Sequence, residues 1–193
     1  LKKLNIVKKY IRIVAGQYRK TPIEVVDAVG LRPTPDRVRE TLFNWLNHFW
    51  AGEFSDKRVL DLFAGSGALG FEAASRGVVS VEMLEQDRGA VAAIQALKSK
   101  LRAEHVKITQ GDALSYIKRA PANRFDLIFL DPPFGKDWLE KLWPALPKLL
   151  EPDGFVYLEA EKALNIPENF KLLRQDRAGV VHYHLVQFVA LQK

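Results

Sequence analysis

The sequence predicts a doubly wound α/β fold: a parallel sheet that finishes in an antiparallel hairpin and is preceded by a small β-hairpin. From residue 58 onward, short β-branched and apolar runs alternate with segments of helical periodicity, the pattern of repeated β-α units. The first of these strands runs directly into a glycine-rich turn. The last two strands have no helix between them, so they pair antiparallel and end the sheet.

Taken in order, Ile11 to Gly16 and Ile23 to Val26 read as two short strands of an N-terminal hairpin. Leu31-Arg32-Pro33-Thr34-Pro35 is a stiff passage into a helix. Thr34 is placed to cap that helix, Pro35 suits its first turn and Asp36 its positive end. Val38, Leu42, Trp45, Leu46 and Phe49 then recur on one helical face. The boundaries that follow are a basic arm and hairpin over 1–33 and the main domain over 34–193. In the main domain Val59 to Phe63 is a strand, followed by a helix through Arg76. Val78 to Leu84, Val106 to Thr109 and Phe125 to Leu130 are further strands, with a helix over Asp87 to Arg102 between the first two. The apolar Phe125 to Leu130 run belongs at the centre of the sheet, covered on both faces. Trp138 to Leu150 reads as helix, Gly154 to Glu159 as strand, and Phe170 to Leu173 with Val180 to Leu191 as the closing hairpin.

Composition narrows the chemistry. With no cysteine there are no disulfides, no thiolate metal sites and no cysteine nucleophile, which also rules out methylation of pyrimidine carbon 5 through a cysteine adduct. The net charge of +6 is uneven. Residues 1–39 hold ten Lys and Arg against three acids, while residues 40–193 hold nineteen against twenty. A basic arm on a near-neutral body suits a polyanion, and it also suits a plain solvated tail. No apolar run is long enough for a membrane span or a secretory signal, so a cytoplasmic protein is expected. The four histidines show no ligand spacing, and no metal is indicated.

The turn Gly65-Ser66-Gly67-Ala68-Leu69-Gly70 fits G-x-G-x-x-G, with Glu85 twenty residues beyond Gly65. Glycines let the backbone approach a ligand, and an acid at the end of the second strand grips ribose hydroxyls. That pattern indicates an adenosine-type cofactor without saying which. Asp61, inside the strand, suits the cationic amino and sulfonium groups of S-adenosylmethionine better than a pyrophosphate. Asp112 is placed to accept from an adenine amine. Both also fit capping roles, Asp61 on the turn and Asp112 on the following helix. The candidate cofactor residues are Asp61, Phe63, Ala64, Gly65, Ser66, Gly67, Glu85, Gln86, Asp112 and Ala113.

Asp131-Pro132-Pro133-Phe134 follows the apolar strand directly. Two prolines fix the backbone, holding the Asp131 carboxylate and the Pro132 carbonyl at the carboxyl edge of the sheet. An exocyclic base amine is a poor nucleophile because its lone pair is delocalised. Two acceptors on its hydrogens favour the pyramidal amine, and Phe134 offers a face for an extruded base.

The run Val59 to Gly67, the Asp131 to Phe134 loop and the passage Leu31 to Leu46 together resemble the RsmD family, bacterial methyltransferases that act on guanine N2 of small-subunit ribosomal RNA. The resemblance spans roughly residues 10 to 190. It implies a Rossmann-like S-adenosylmethionine-dependent fold with an N-terminal β-hairpin, a monomer, and 16S ribosomal RNA in an assembled small subunit as substrate. It implies ribose binding by Glu85, adenine binding by Asp112 and amine binding by Asp131. Arg12, Arg19, Lys20, Arg32, Thr34, Arg37 and Arg39 are the candidate RNA contacts. The competing readings are an amino-methyltransferase of DNA adenine N6 or of a protein glutamine, a non-catalytic RNA-binding protein, and an NAD-dependent dehydrogenase. The last has no use for the double-proline loop.

Overall fold

The computed structural model describes residues 9–25, 34–133, 138–161 and 164–190. β1 (Lys9–Arg12) and β2 (Pro22–Val25) form a separate antiparallel hairpin in which Ile11 lies opposite Ile23. The main sheet contains β3 (Arg58–Asp61), β4 (Ser80–Glu85), β5 (Val106–Gln110), β6 (Phe125–Leu130), β7 (Leu150–Ala160), β8 (Phe170–Ala178) and β9 (Val181–Phe188). Their order is β5-β4-β3-β6-β7-β9-β8. β5 to β7 run parallel, and β9 is antiparallel to both β7 and β8. β6 sits in the middle, as its apolar sequence predicts. The strand order reverses between β3 and β6, which opens a crevice at their carboxyl ends.

Side-chain alternation divides the core in two. Val59, Phe129, Tyr157 and Leu185 face α1 (Asp36–Phe49), α2 (Ala68–Ser75) and α3 (Arg88–Leu101), against Leu42, Phe43, Phe71 and Ile94. Leu60, Ile128, Val156 and Val186 face α4 (Ala113–Arg119), α5 (Trp138–Leu142) and α6 (Leu146–Leu149), against Ile117, Leu142, Leu146 and Leu149. No described helix is long and apolar enough to cross a membrane.

Several elements differ from the sequence-based expectation. The helix expected over Trp138 to Leu150 is broken into α5, a 3-10 turn at Trp143–Ala145, and α6. Pro144 and Pro147 lack the amide donors that a continuous helix requires there. β8 extends through the polar run Arg174 to Ala178, because an edge strand of a hairpin needs only a partner ladder and no apolar cover. Thr34 does not cap α1. Pro35 holds the N-cap position without a side-chain bond, and the Thr34 hydroxyl instead donates to Glu159 Oε1 at 2.8 Å.

The first predicted strand also stops early, at Arg12, because the backbone beyond it has another partner. Glu72, fully buried in α2, accepts the N–H groups of Val14 at 2.7 Å and Ala15 at 3.1 Å, and the Arg76 Nε at 2.9 Å. Ser75 adds bonds to Ala15 and Tyr18. Gly16 sits against this helix at φ +77°, where a Cβ would fall 1.8 Å from the Ser75 carbonyl oxygen. Arg39, expected at the RNA surface, is fully buried in the same junction. Its guanidinium bonds Asp36 at 2.5 Å and lies 3.7 Å from Glu72, and Asp36 in turn accepts from Arg12 at 2.9 Å. Arg39 shares the buried face of α1 with the apolar Val38, Leu42, Phe43 and Leu46, and is held there beside Glu72, a partner that the sequence places on another element.

Removing one member of such a buried charge network leaves the other uncompensated. Glu72→Ala is therefore expected to lower stability by roughly 3–5 kcal/mol, measured as the shift of the urea unfolding midpoint. Gly16→Ala should also destabilise, through steric conflict with Ser75 rather than loss of charge.

Candidate active site

A cleft with about 440 Å³ of empty space opens at the crevice between β3 and β6. Of the residues expected from the sequence, Thr34, Asp61, Phe63, Ala64, Gly65, Ser66 and Asp131 line it, joined by Val25, Ala68 and Leu69. Gly65 and Gly67 adopt φ of +54° and +79°, so the turn between β3 and α2 needs their lack of a side chain. Phe63 is braced by Trp138, with ring centroids 5.3 Å apart. Pro132 is buried and Pro133 exposed; Phe134 and Arg32 lie outside the described residues.

Each of the other acids holds backbone. Asp61 Oδ2 accepts the Gly70 N–H at 3.0 Å, tying the strand end to the first turn of α2. Glu85 Oε2 accepts from Gly65 at 2.7 Å, and its Oε1 accepts from Gln86 and Asp87 at 2.7 and 2.8 Å. One side chain thus fixes the glycine turn and the end of β4 together. Asp112 Oδ1 accepts from Ser115 at 2.8 Å and caps α4, with Ala113 buried as its first residue. Gly111 donates to the Glu85 carbonyl at 3.0 Å, which keeps the Asp112 turn beside the end of β4. The basic candidates Arg12, Arg19, Lys20 and Arg37 are exposed, unlike Arg39.

The cleft is acidic: its lining carries two carboxyl groups and no Lys, Arg or His among the described residues. Burial pushes the Asp61 carboxyl up to about 7, with the charge of Glu85 adding to the rise and the Gly70 N–H opposing it. Burial likewise raises Asp131 well above the ordinary carboxylate range, reinforced by the nearby charges of Glu159 and Asp61. Sequence reasoning did not single out Glu159. It stands at the end of β7, 6% exposed, and its Oε1 accepts hydroxyls from both Tyr157 and Thr34 at 2.8 Å. Its strand was legible, but nothing local marks it, because its importance comes from the register of β7 against β6. Among the described residues no group of His, Asp or Glu is arranged to hold a metal ion.

A family model described as Conserved hypothetical protein 95 matches residues 11–187. Ribosomal RNA small subunit methyltransferase D of Haemophilus influenzae is 40% identical over 190 residues, covering 93% of this chain and 95% of that protein. The solved structure of the Escherichia coli protein yhhF matches with TM-score 0.83 at 37% identity, covering 95% of this chain and all (100%) of that one. A Streptococcus mutans structure named as an S-adenosylmethionine-dependent methyltransferase matches with TM-score 0.69 at 16% identity, covering 93% of this chain and 55% of that one, which shows a shared fold.

The raised Asp61 carboxyl has a consequence for stability. A carboxyl held above its unfolded value near 3.8 contributes its full stabilisation below that value and loses it as pH rises through about 7. The wild-type urea midpoint should therefore fall between pH 5 and 8. Asp61→Asn should flatten that fall by an amount on the order of 2–4 kcal/mol, read from denaturation series across the range.

Proposed function

The chain belongs to the family of ribosomal RNA small subunit methyltransferase D, and on that premise we propose that it transfers a methyl group from S-adenosylmethionine to the exocyclic N2 amine of a guanine in 16S ribosomal RNA. The observation that carries the reading is the cleft lined by Asp61 and Asp131 with no Lys, Arg or His among its described residues. Such a donor set fits a ligand bearing ammonium and sulfonium charges and fits a dinucleotide pyrophosphate poorly. When bound, S-adenosylmethionine supplies an electrophilic methyl group.

The chain's own residues divide the remaining work. Glu85, already fixed by three backbone N–H groups, presents its carboxylate to the ribose hydroxyls, and Asp112 stands beside it for the adenine amine. Asp61 faces the charged end of the cofactor, while Phe63, Ala64, Ser66 and Gly67 shape the turn around it, with Gln86 and Ala113 flanking the adenosine. The Asp131 carboxylate and the Pro132 carbonyl take hydrogen bonds from the target amine. The two prolines keep these acceptors in place before the base arrives, so little reorganisation is needed at the reacting centre. Stacking by Phe134 and contact by Arg32 rest on the family resemblance. Arg12, Arg19, Lys20 and Arg37 offer exposed cations to phosphates, with the β1–β2 hairpin as the RNA-facing unit on a monomeric catalytic domain. Thr34 serves the cleft wall through Glu159, and Arg39 serves the hairpin junction rather than the RNA. An assembled small subunit is the substrate form this reading favours, because a folded ribonucleoprotein presents one guanine in a defined setting.

The test is methyl transfer from labelled S-adenosylmethionine to small ribosomal subunits lacking the modification, to bare 16S RNA and to DNA. Nucleosides are then identified by mass spectrometry. The expected product is N2-methylguanosine from the ribosomal substrates; label in DNA alone would overturn the reading. Asp131→Ala should slow transfer by about 100-fold or more, with affinity for S-adenosylhomocysteine kept within a few fold by calorimetry.

A further inference from the structure

Glu159 is built into the site from behind. Leu130 of β6 pairs with Leu158 of β7, so Asp131 and Glu159 follow side by side on neighbouring parallel strands. Phe129 and Tyr157, two residues back on the same strands, face α1 with them, and Asp61 pairs with Phe129 from β3. The side chain is nine-tenths buried, and one of its oxygens takes two hydroxyl donors, from its own strand and from the segment before α1. Donors on a carboxylate oxygen favour its charged form.

We infer that Glu159 is a positioning residue that makes Asp131 the acceptor of the proton released by the methylated amine. This rests on the amine-methylation reading above. In the transfer the amine nitrogen lone pair becomes the new N–C bond and the S–C bonding pair stays on sulfur, so one N–H proton must leave. The same event removes the sulfonium charge from the buried cleft. A carboxylate that was balanced by that charge is then left uncompensated, and protonation of Asp131 restores neutrality. Burial pushes the Glu159 carboxyl up while the Tyr157 and Thr34 hydroxyls favour its charged form, and the negative charge it carries when ionised raises the proton affinity of the adjoining Asp131. Among the described residues, the other titratable groups facing the pair are Asp61 from β3, which acts in the same direction, and Tyr183 from β9, which pairs with Glu159 across the ladder. The Tyr183 hydroxyl is committed to Asp176 at 2.8 Å, near Arg37.

The experiment is carboxyl-carbon NMR titration of the full chain labelled at aspartate and glutamate, alongside pH profiles of kcat on small ribosomal subunits. Glu159→Gln should lower the Asp131 midpoint by about one pH unit or more. The acidic limb of kcat should move down by the same amount, the plateau should fall several-fold, and KM for subunits should stay within about twofold. Tyr157→Phe, which keeps the ring in the core, should transfer titration amplitude from Asp131 to Glu159. An unmoved midpoint in both variants, an unmoved acidic limb, or a loss confined to KM would overturn the inference. The NMR arm needs no RNA, so a wild-type chain inactive on subunits would sink the functional reading while the carboxyl coupling was still decided.

Discussion

The register of three adjacent parallel strands is the constraint on which the site depends. β3, β6 and β7 are aligned so that Asp61 pairs with Phe129, and Leu130 with Leu158. Every acid at their carboxyl ends therefore projects to the same face. A slip of one residue in any strand would turn its acid to the opposite layer and its apolar neighbours out of theirs. The fully buried side chains of Leu127, Ile128, Phe129 and Leu130 on β6 make such a slip costly on both faces at once. The apolar core thus fixes the placement of charges that it does not itself solvate.

Much of this was legible in the sequence. Alternating strands and helices, the glycine turn and the double-proline loop sufficed for the architecture, and Asp61, Gly65 and Asp131 meet in one cleft as their positions at strand ends imply. The misses share a cause: each depends on a partner far away in the chain. Arg39 reads as one more basic residue in a basic segment, until Glu72, thirty-three positions on, is seen to hold it inside. Thr34 reads as a helix cap, and its hydroxyl goes to Glu159 across 125 residues. Glu159 itself sits in an ordinary strand motif. The broken helix at Pro144 and Pro147 was readable locally; apolar periodicity alone was an insufficient guide there.

The hairpin and the glycine turn are joined by short-range bonds rather than by a flexible tether. Glu72 and Ser75 belong to α2, the helix that Gly67 caps, and they hold the backbone of Val14, Ala15 and Tyr18 directly. From there the chain of charges runs through Arg39 and Asp36 to the exposed Arg12. A surface cation and the wall of the cleft consequently belong to one packed unit, so the hairpin keeps a fixed orientation toward the cleft.

The far rim of the sheet tells a different story. β8 is an outermost strand of nine residues, and Lys171, Arg174, Gln175, Asp176 and Arg177 along it are all exposed. An unpaired ladder of that length is a template for addition of a foreign strand, and closely spaced charges make such addition unfavourable. The closing hairpin therefore guards the outermost margin of the sheet against unwanted polymerisation.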